Sequence, residues 1–187
     1  MGLIKDILSA LIIVGIVALG GYIITGTWPF MVAIESGSME PNMHIGDVVF
    51  LVSPEKKEIV TFEDGAKIGY EKFGRYGDVI VYKPNGDSRR TPIIHRAIAY
   101  VNKGDPIPIL VREGNRLSLK LTNVKAPSDG YITQGDANPV PDQLACLNSL
   151  NCVRIMPVKK EWVVGVAVFK IPYIGYVRVL ISKIFLI

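Results

Sequence analysis

The segment ILSALIIVGIVALGGYIITGTWPF, residues 7–30, contains no charged side chain, and the charge-free run extends from Asp6 to Glu35. A helix that crosses the hydrocarbon core of a bilayer needs about 20 predominantly apolar residues, and this segment is long enough. Trp28 and Phe30 close the segment, and aromatic residues are enriched at the boundary between lipid and water. We therefore predict a membrane-spanning helix followed directly by a folded domain.

Two other interpretations of the apolar segment are a buried helix of a soluble protein and a cleaved signal peptide. Its length disfavours the first. A signal peptide has a basic start and an apolar stretch of about 7–15 residues, whereas here Asp6 offsets Lys5 and the stretch is longer. We favour a permanent anchor over residues 1–27. The first basic residue beyond it is Lys56, so the excess of positive charge before the helix predicts a cytoplasmic N-terminus.

The overall composition fits one domain of ordinary size. The chain has 187 residues, of which 49% are hydrophobic, and a net charge of +4. No dense Lys/Arg stripe with interleaved aromatic residues is present, so nucleic-acid binding is not expected. Cys146 and Cys152 lie close together and can oxidise outside the cytosol, with two free thiols as the alternative. Two cysteines without a neighbouring histidine do not predict a zinc site.

Residues 28–172 have the pattern of a β-rich domain. Short runs of Val, Ile, Tyr and Phe alternate with Gly, Pro, Asn and Asp, which is typical of strands and turns. The runs include FMVAIES, DVVFLVS, DVIVYK, IIHRAIAYV, IPILVRE, LSLKLTN, YITQGD and WVVGVAVFKI. This pattern predicts a mainly β fold, with a coiled antiparallel sheet or partial barrel. Residues 54–76 are charged and predict an exposed insertion.

The end of the chain, residues 173–187, is a second apolar stretch that Arg178 and Lys183 interrupt. It is short for a full membrane span. We predict an amphipathic helix at the membrane surface, with a half-span or an ordinary packed helix as the alternatives.

The groups that could perform acid–base chemistry are few. The chain has two histidines: His44 lies in a turn and is predicted to face solvent, whereas His95 lies in a strand run. Ser38 lies in a tight turn, and Asp136 and Asp142 lie in a loop shaped by Gly and Pro. A serine hydroxyl becomes an effective nucleophile when a base accepts its proton and a third group orients the base. From chemistry alone, whether these groups meet in space stays open.

Four motifs, in this order, resemble those of type I signal peptidases, the membrane-bound serine proteases that remove signal peptides from exported proteins. They are SGSMEP (36–41) with GDVVF (46–50), GDVIVYK (77–83), IIHRAIAY (93–100) and GDANPVPD (135–142). The likeness is greatest to the archaeal form and to the catalytic subunit of the endoplasmic-reticulum complex. It covers almost the whole chain and implies a serine endopeptidase without metal or cofactor. The family's acidic motif usually has asparagine where this chain has Ala137.

The resemblance also implies roles for individual residues. Ser38 would be the nucleophile, and His95 would be the general base and then the acid that protonates the leaving amine. Asp142 would orient His95, and Asp136 would support the site. Ser36 would join the backbone N–H of Ser38 in an oxyanion hole, by analogy with the bacterial branch of the family. Met39, which follows the nucleophile, is counted with the substrate-binding residues.

Three further expectations concern partners and alternatives. The expected partners are preprotein signal peptides and the lipid bilayer, with the catalytic domain on the extracytoplasmic or lumenal side and the protein acting as a monomer or as a subunit of a membrane complex. A lysine base, as in the bacterial branch, is an alternative chemistry, and Lys83 is the candidate. A membrane-anchored β-domain that binds secretory proteins without catalysis is the alternative function.

Overall fold

The structure, a computed structural model, describes residues 2–114, 116–146 and 153–174. The predicted C-terminal amphipathic helix, residues 173–187, therefore lies almost entirely outside the described residues. Cys146 is disulfide-bonded. Cys152, the second cysteine of the chain, lies outside the described residues as well.

The apolar segment forms helix α1, Gly2–Thr25, whose 24 residues include no buried side chain. Its length and its apolar composition are those of a helix that could cross a membrane. The predicted spanning helix is therefore present as a helix of suitable length and composition. Gly26 ends it with a φ of +73°, a left-handed conformation that glycine adopts without steric cost.

Within the residues that the structure describes, ten strands follow the helix. They are β1 Met31–Ala33, β2 Val48–Val52, β3 Glu71–Lys72, β4 Arg75–Tyr76, β5 Val79–Tyr82, β6 Ile93–Val101, β7 Pro106–Glu113, β8 Arg116–Lys125, β9 Gly130–Gln134 and β10 Val163–Ile171. Six of them form an antiparallel sheet in the order β1-β2-β10-β5-β6-β9. β3–β4 and β7–β8 form two separate hairpins.

The six-stranded sheet is curled into a half-barrel, which confirms the predicted mainly β fold. Its register shifts at three places, between Val163 and Gly165, between Ala167 and Phe169 on β10, and between Ala97 and Ala99 on β6. Such bulges bend a strand and increase its twist, which lets a sheet curve instead of lying flat.

Strand β5 lies at the centre of the sheet, and all four of its side chains are buried. Val79 and Val81 join one hydrophobic cluster, beneath the turn between β1 and β2. Ile80 and Tyr82 join a second cluster on the opposite face. A third cluster packs the β7–β8 hairpin against β6 and β9. Because both faces of the sheet are covered, β5 and β6 form a rigid platform.

The predicted insertion, residues 54–76, has structure of its own. It contains a short helix, α2 Phe62–Ile68, and the β3–β4 hairpin. The side chain of Thr61 accepts a hydrogen bond from the Asp64 N–H at the start of α2, and Gly69 ends it in a left-handed conformation. Phe62 is buried in the third cluster. The sequence does not predict α2, because seven residues are too few for a clear apolar periodicity.

Candidate active site

Ser38 lies in a single 3-10 turn, Gly37–Met39, in the connection between β1 and β2. Ser36 precedes the turn in an extended conformation, and its Oγ lies 3.3 Å from Ser38 Oγ. Met39 and Met43 are fully buried beneath the turn and belong to the first hydrophobic cluster. The apolar core therefore anchors the turn from below and leaves the Ser38 hydroxyl at the surface of the cleft.

His95 and Arg96 are consecutive residues of β6, so their side chains point to opposite faces of the sheet. His95 is paired across the sheet with Ile80, and Arg96 with Val79. Each side chain reaches one of the two loop aspartates, Asp142 for His95 and Asp136 for Arg96. The alternation of one strand therefore separates the two carboxylates into two different environments.

Ser38, His95 and Asp142 form a continuous chain of hydrogen-bonded groups. Ser38 Oγ lies 2.9 Å from His95 Nε2, and His95 Nδ1 lies 2.7 Å from Asp142 Oδ2 and 2.9 Å from Asp142 Oδ1. An ionised carboxylate only accepts hydrogen bonds, so Nδ1 must carry the proton and Nε2 is free to accept the serine proton. The three groups have the connectivity of a catalytic triad.

Asp142 is held by two hydroxyl groups besides His95. Tyr82 Oη donates to its Oδ2 over 2.7 Å, and Thr133 Oγ1 donates to the same oxygen over 2.6 Å. Burial and the nearby carboxylate raise the pKa of Tyr82 well above its ordinary value, which keeps the phenol protonated as a donor. With Asp142 only 5% exposed, these bonds offset much of the cost of burying its charge.

Asp136 does not join the chain of groups that ends at Ser38. Its carboxylate accepts hydrogen bonds from Arg96 Nε at 2.9 Å and Arg96 Nη2 at 2.8 Å, and from Asn42 Nδ2 at 2.7 Å. Arg75 Nη1 adds a bond of 2.9 Å to the Asp136 carbonyl. The side chains of Arg96 and Asp136 are 0% and 1% exposed. Asp136 thus connects the β6 strand, the turn after Ser38 and the β3–β4 hairpin.

The Arg96 side chain also connects the β3–β4 hairpin to the sheet, because it binds backbone carbonyls at the two ends of the hairpin. Its Nη1 donates to the carbonyls of Gly77 at 2.7 Å and of Lys72 at 2.9 Å. The end of the predicted insertion is therefore fixed against the strand that carries His95. Because Arg96 is fully buried, nearly all of its donors need such partners.

The acidic loop approaches the nucleophile turn closely. The Ala137 N–H donates to the Ser38 carbonyl over 2.9 Å. A Cβ on Gly135 would lie 2.6 Å from that same carbonyl oxygen, so only glycine permits this approach. The departure from the family motif at Ala137 leaves this contact intact, because the backbone makes it.

A second, partly buried ion pair holds the other side of the nucleophile turn. Lys170 Nζ on β10 donates to Asp47 Oδ2 over 2.8 Å and to the Asn42 carbonyl over 2.9 Å. Burial disfavours the Asp47 carboxylate, but its bonds to Lys170 and to the His44 N–H outweigh this and lower the pKa of Asp47. Asn42 is therefore held at its carbonyl by Lys170 and at its side chain by Asp136.

A cleft of about 630 Å³ opens over Ser38 and His95. Its walls are largely apolar side chains from the β1 region and the start of β6: Pro29, Val32, Ala33, Pro92, Ile93 and Ile94. β1 is an edge strand of the sheet, and β6 pairs with β9 only from Arg96 onward. Backbone groups at both walls of the cleft can therefore pair with an added extended segment.

The remaining predicted site residues lie in different surroundings. Ser36 lines the cleft, whereas the Met39 side chain is buried in the core and Met39 is not among the residues that line the cleft. Lys83 lines another pocket, with Trp162 and the end of α1, and is not among the residues of the cleft. His44 is exposed, as predicted.

The residues that sequence reasoning missed are those that position the triad, namely Tyr82, Thr133 and Asn42. Tyr82 gave one usable signal, since a tyrosine in a buried strand run needs a partner for its hydroxyl. Thr133 and Asn42 gave none, because their partners are distant in sequence.

Comparison with known proteins found relatives over most of the chain, although no protein-family model matches it. The signal peptidase complex catalytic subunit SEC11 of Schizophyllum commune is 28% identical over 159 residues, which cover 84% of this chain and 67% of that protein. SEC11C of Homo sapiens is 28% identical over 163 residues, with coverages of 87% and 62%. SEC11 of Lodderomyces elongisporus is 28% identical over 153 residues, with coverages of 82% and 66%.

These relatives confirm the resemblance drawn from the four sequence motifs. The chain spans about two thirds of the length of the relatives that it matches, between 62% and 67% for these three.

Proposed function

We propose that this chain, which is related over most of its length to catalytic subunits of signal peptidase complexes, is a membrane-anchored serine endopeptidase that removes signal peptides from preproteins. The proposal rests above all on one observation: contacts of 2.9 and 2.7 Å join Ser38 Oγ, the His95 ring and the buried Asp142 carboxylate, and Ser38 and His95 line an apolar cleft.

The reaction that this geometry supports is acyl transfer. Ser38 Oγ attacks the scissile carbonyl while His95 Nε2 takes its proton, and Asp142 stabilises the resulting imidazolium. His95 then protonates the leaving amine as the peptide bond breaks, which leaves an acyl ester on Ser38. A water molecule then attacks the ester while His95 Nε2 takes its proton. The imidazolium donates this proton to Ser38 Oγ as the acyl group leaves as a carboxylate product.

The oxyanion that forms during the attack needs hydrogen-bond donors. The first N–H groups of a helical turn have no partner within the turn, which makes the Ser38 N–H one candidate. The Ser36 hydroxyl is a second candidate because its oxygen lies 3.3 Å from Ser38 Oγ. Removing one such donor typically costs about 2.7–4 kcal/mol of transition-state stabilisation. In this proposal, the buried side chain of Met39 fixes the turn that carries Ser38. Asp136 helps to hold the same turn in place through Asn42.

The substrate that suits the cleft is an extended segment with small side chains near the cut. Val32 and Ala33 on one wall and Ile93 and Ile94 on the other leave an apolar groove between two strand edges. An extended chain gains affinity from main-chain hydrogen bonds to such edges, and the groove selects its side chains.

The attachment of α1 supports a position beside the membrane. Ser53 N donates to the Thr25 carbonyl over 2.8 Å, and Lys56 Nζ donates to the Ile23 carbonyl over 2.7 Å, so the end of the helix is fixed to the domain. Pro29, which lines the cleft, follows Thr25 by only four residues. A signal peptide is itself an apolar helix whose cleavage site lies just outside the bilayer, so nucleophile and scissile bond would meet at a similar depth.

We further propose that the N-terminus is cytoplasmic and that the catalytic domain lies on the extracytoplasmic or lumenal side. Lys5 before the helix and the absence of basic residues until Lys56 after it support this orientation. The relatives are named as subunits of a complex, but Ser38, His95 and Asp142 all come from one chain. The proposal is therefore that cleavage itself needs no residue from another subunit.

The test is cleavage of a purified preprotein by the detergent-solubilised full chain. We expect a product whose new N-terminus begins after a small residue, and no product with Ser38→Ala. His95→Ala should also abolish cleavage, whereas Lys83→Ala should leave it unchanged, because His95 Nε2 lies 2.9 Å from Ser38 Oγ and Lys83 lines a different pocket. Binding of the preprotein without cleavage by the natural chain would instead favour a binding module, and normal cleavage by Ser38→Ala would refute the nucleophile.

A further inference from the structure

A pocket of about 350 Å³ lies beside the C-terminal end of α1 and is distinct from the catalytic cleft. Its lining includes Tyr22 and Thr27 at the exit of the helix, together with Trp28 and Trp162, which are both tryptophans of the chain. Tryptophan favours the boundary between lipid and water. If α1 spans a bilayer, as the proposed function requires, the pocket lies at the depth of the lipid headgroups.

Lysines are concentrated at this pocket. Lys83 and Lys160 line it, Lys159 Nζ lies 5.5 Å from the centre of the Trp162 ring, and Lys56 Nζ lies over the last carbonyls of α1. Four lysines therefore lie at the exit of the helix, and Glu55 and Glu161 also line the pocket.

Carboxylates compensate only part of this charge. Glu55 pairs with Lys160 at 3.1 Å, and Glu161 pairs with Lys159 at 4.0 Å. Within the part of the chain that the structure describes, no carboxylate forms an ion pair with Lys56 or with Lys83. The ammonium of Lys56 is occupied by helix carbonyls, which leaves half-buried Lys83 as the cation with the most freedom to bind a ligand.

We propose that this pocket binds the phosphate group of an anionic phospholipid, with Lys83 as its principal ligand. A lysine ammonium binds phosphate as a compact point charge, and its aliphatic stem packs against apolar surface such as a tryptophan ring. Inorganic phosphate has the same chemistry. The lipid is favoured because a spanning helix that ends at the pocket keeps headgroups beside it at all times. The inference uses the proposed membrane anchoring but not the proposed peptidase activity.

The two tryptophans make the binding measurable without a label. The full chain is reconstituted in phosphatidylcholine nanodiscs with a rising fraction of phosphatidylglycerol, and the tryptophan emission is recorded. We expect a saturable change, and stronger quenching by a lipid with a nitroxide on its headgroup than by one with a nitroxide deep in its acyl chain. Lys83→Ala should raise the half-saturating fraction about fivefold, in line with the attraction of one lysine near an anionic surface.

Two variants serve as controls. Lys83→Arg keeps the charge and should bind as the natural chain does. Lys125→Ala removes an equal charge from an exposed position on β8, outside the pocket, and should also leave binding unchanged. An unchanged response in Lys83→Ala, or an equal loss in Lys125→Ala, would overturn the site.

A parallel titration with inorganic phosphate in neutral detergent distinguishes the two sources of phosphate. A response to the lipid but not to millimolar phosphate supports the lipid, whereas an equal, Lys83-dependent response to both would overturn the lipid assignment. Preprotein cleavage is measured on the same variants. Normal cleavage without a lipid response refutes this inference alone, and a lipid response without cleavage refutes the proposed peptidase alone.

Discussion

Replacing Asp142 with asparagine tests the orienting role of its carboxylate while preserving its size. His95 Nδ1 lies 2.9 Å from Asp142 Oδ1 and 2.7 Å from Oδ2, so both oxygens are within hydrogen-bond distance of the same ring nitrogen. In the asparagine variant, the hydroxyls of Tyr82 and Thr133, which donate to Oδ2, favour the amide oxygen at that position. The NH₂ group then takes the place of Oδ1, 2.9 Å from Nδ1, where it disfavours a proton on the ring nitrogen. The ring then carries its proton on Nε2, which can no longer accept the proton of Ser38.

The expected magnitude follows from this change of tautomer. In a serine protease of the same connectivity, the corresponding substitution lowers kcat about 10⁴-fold with the geometry intact. At about 1.36 kcal/mol per tenfold change, this is about 5.4 kcal/mol of transition-state stabilisation. The variant also loses the charge that stabilises the imidazolium, so an effect much smaller than 10³-fold is not expected.

The assay is single-turnover cleavage of a preprotein, with thermal unfolding of each variant measured alongside. Asp136→Asn is the comparison, because Asp136 does not contact His95 and instead binds Arg96 and Asn42. We expect Asp142→Asn to remain folded and nearly inactive, and Asp136→Asn to lose mainly thermal stability. Cleavage by Asp142→Asn within tenfold of the natural rate would refute the role given to this carboxylate.

Three further predictions concern the groups around the triad. Tyr82→Phe removes one donor to the triad carboxylate and should lower kcat about tenfold with little change in KM, whereas a changed KM alone would contradict a positioning role. Arg96→Met leaves the buried Asp136 without its main partner and should cost about 3–5 kcal/mol in urea unfolding, and a loss below 1 kcal/mol would be contrary to the proposed network. Lys170→Met should destabilise the protein at neutral pH. Because the pKa of Asp47 is lowered from 3.8, the stability that Asp47 contributes is present above that pH and is lost as the pH falls through the folded-state pKa. The difference in stability between Lys170→Met and the natural chain should therefore shrink in acid unfolding. A constant difference would argue against the pair.

The sequence predicted those features that depend on local pattern. A charge-free run of this length has one stable arrangement in a bilayer, and strand runs separated by turn residues favour an antiparallel sheet. The four motifs follow one another in the order found in type I signal peptidases, although overall identity to the relatives is low. This order identified Ser38, His95, Asp136 and Asp142. The helix α2 was missed because seven residues show no clear periodicity and charged residues obscure the buried Phe62.

The different environments of Asp136 and Asp142 were beyond sequence reasoning. Both follow the same strand in one short loop, and their spacing does not rank them. The structure separates them because the side chains of His95 and Arg96 point to opposite faces of β6, and each face holds a different aspartate. The sequence indicates the alternation of side chains along the strand, but it does not tell which aspartate lies on which face. For the same reason, Tyr82 and Thr133 could be recognised as buried strand residues but not as donors to a particular carboxylate.

The neighbouring positions of His95 and Arg96 also make the proposed active site sensitive to strand register. A slip of one residue in the first half of β6 would turn each side chain to the opposite face of the sheet, so that the imidazole would leave Asp142 and the guanidinium would leave Asp136. The irregular pairing between Ala97 and Ala99 lies directly after this pair and already contains a displaced residue. Length changes beyond that point can therefore be absorbed by the strand, whereas a residue inserted between Ile93 and His95 would turn the imidazole to the face opposite Ser38.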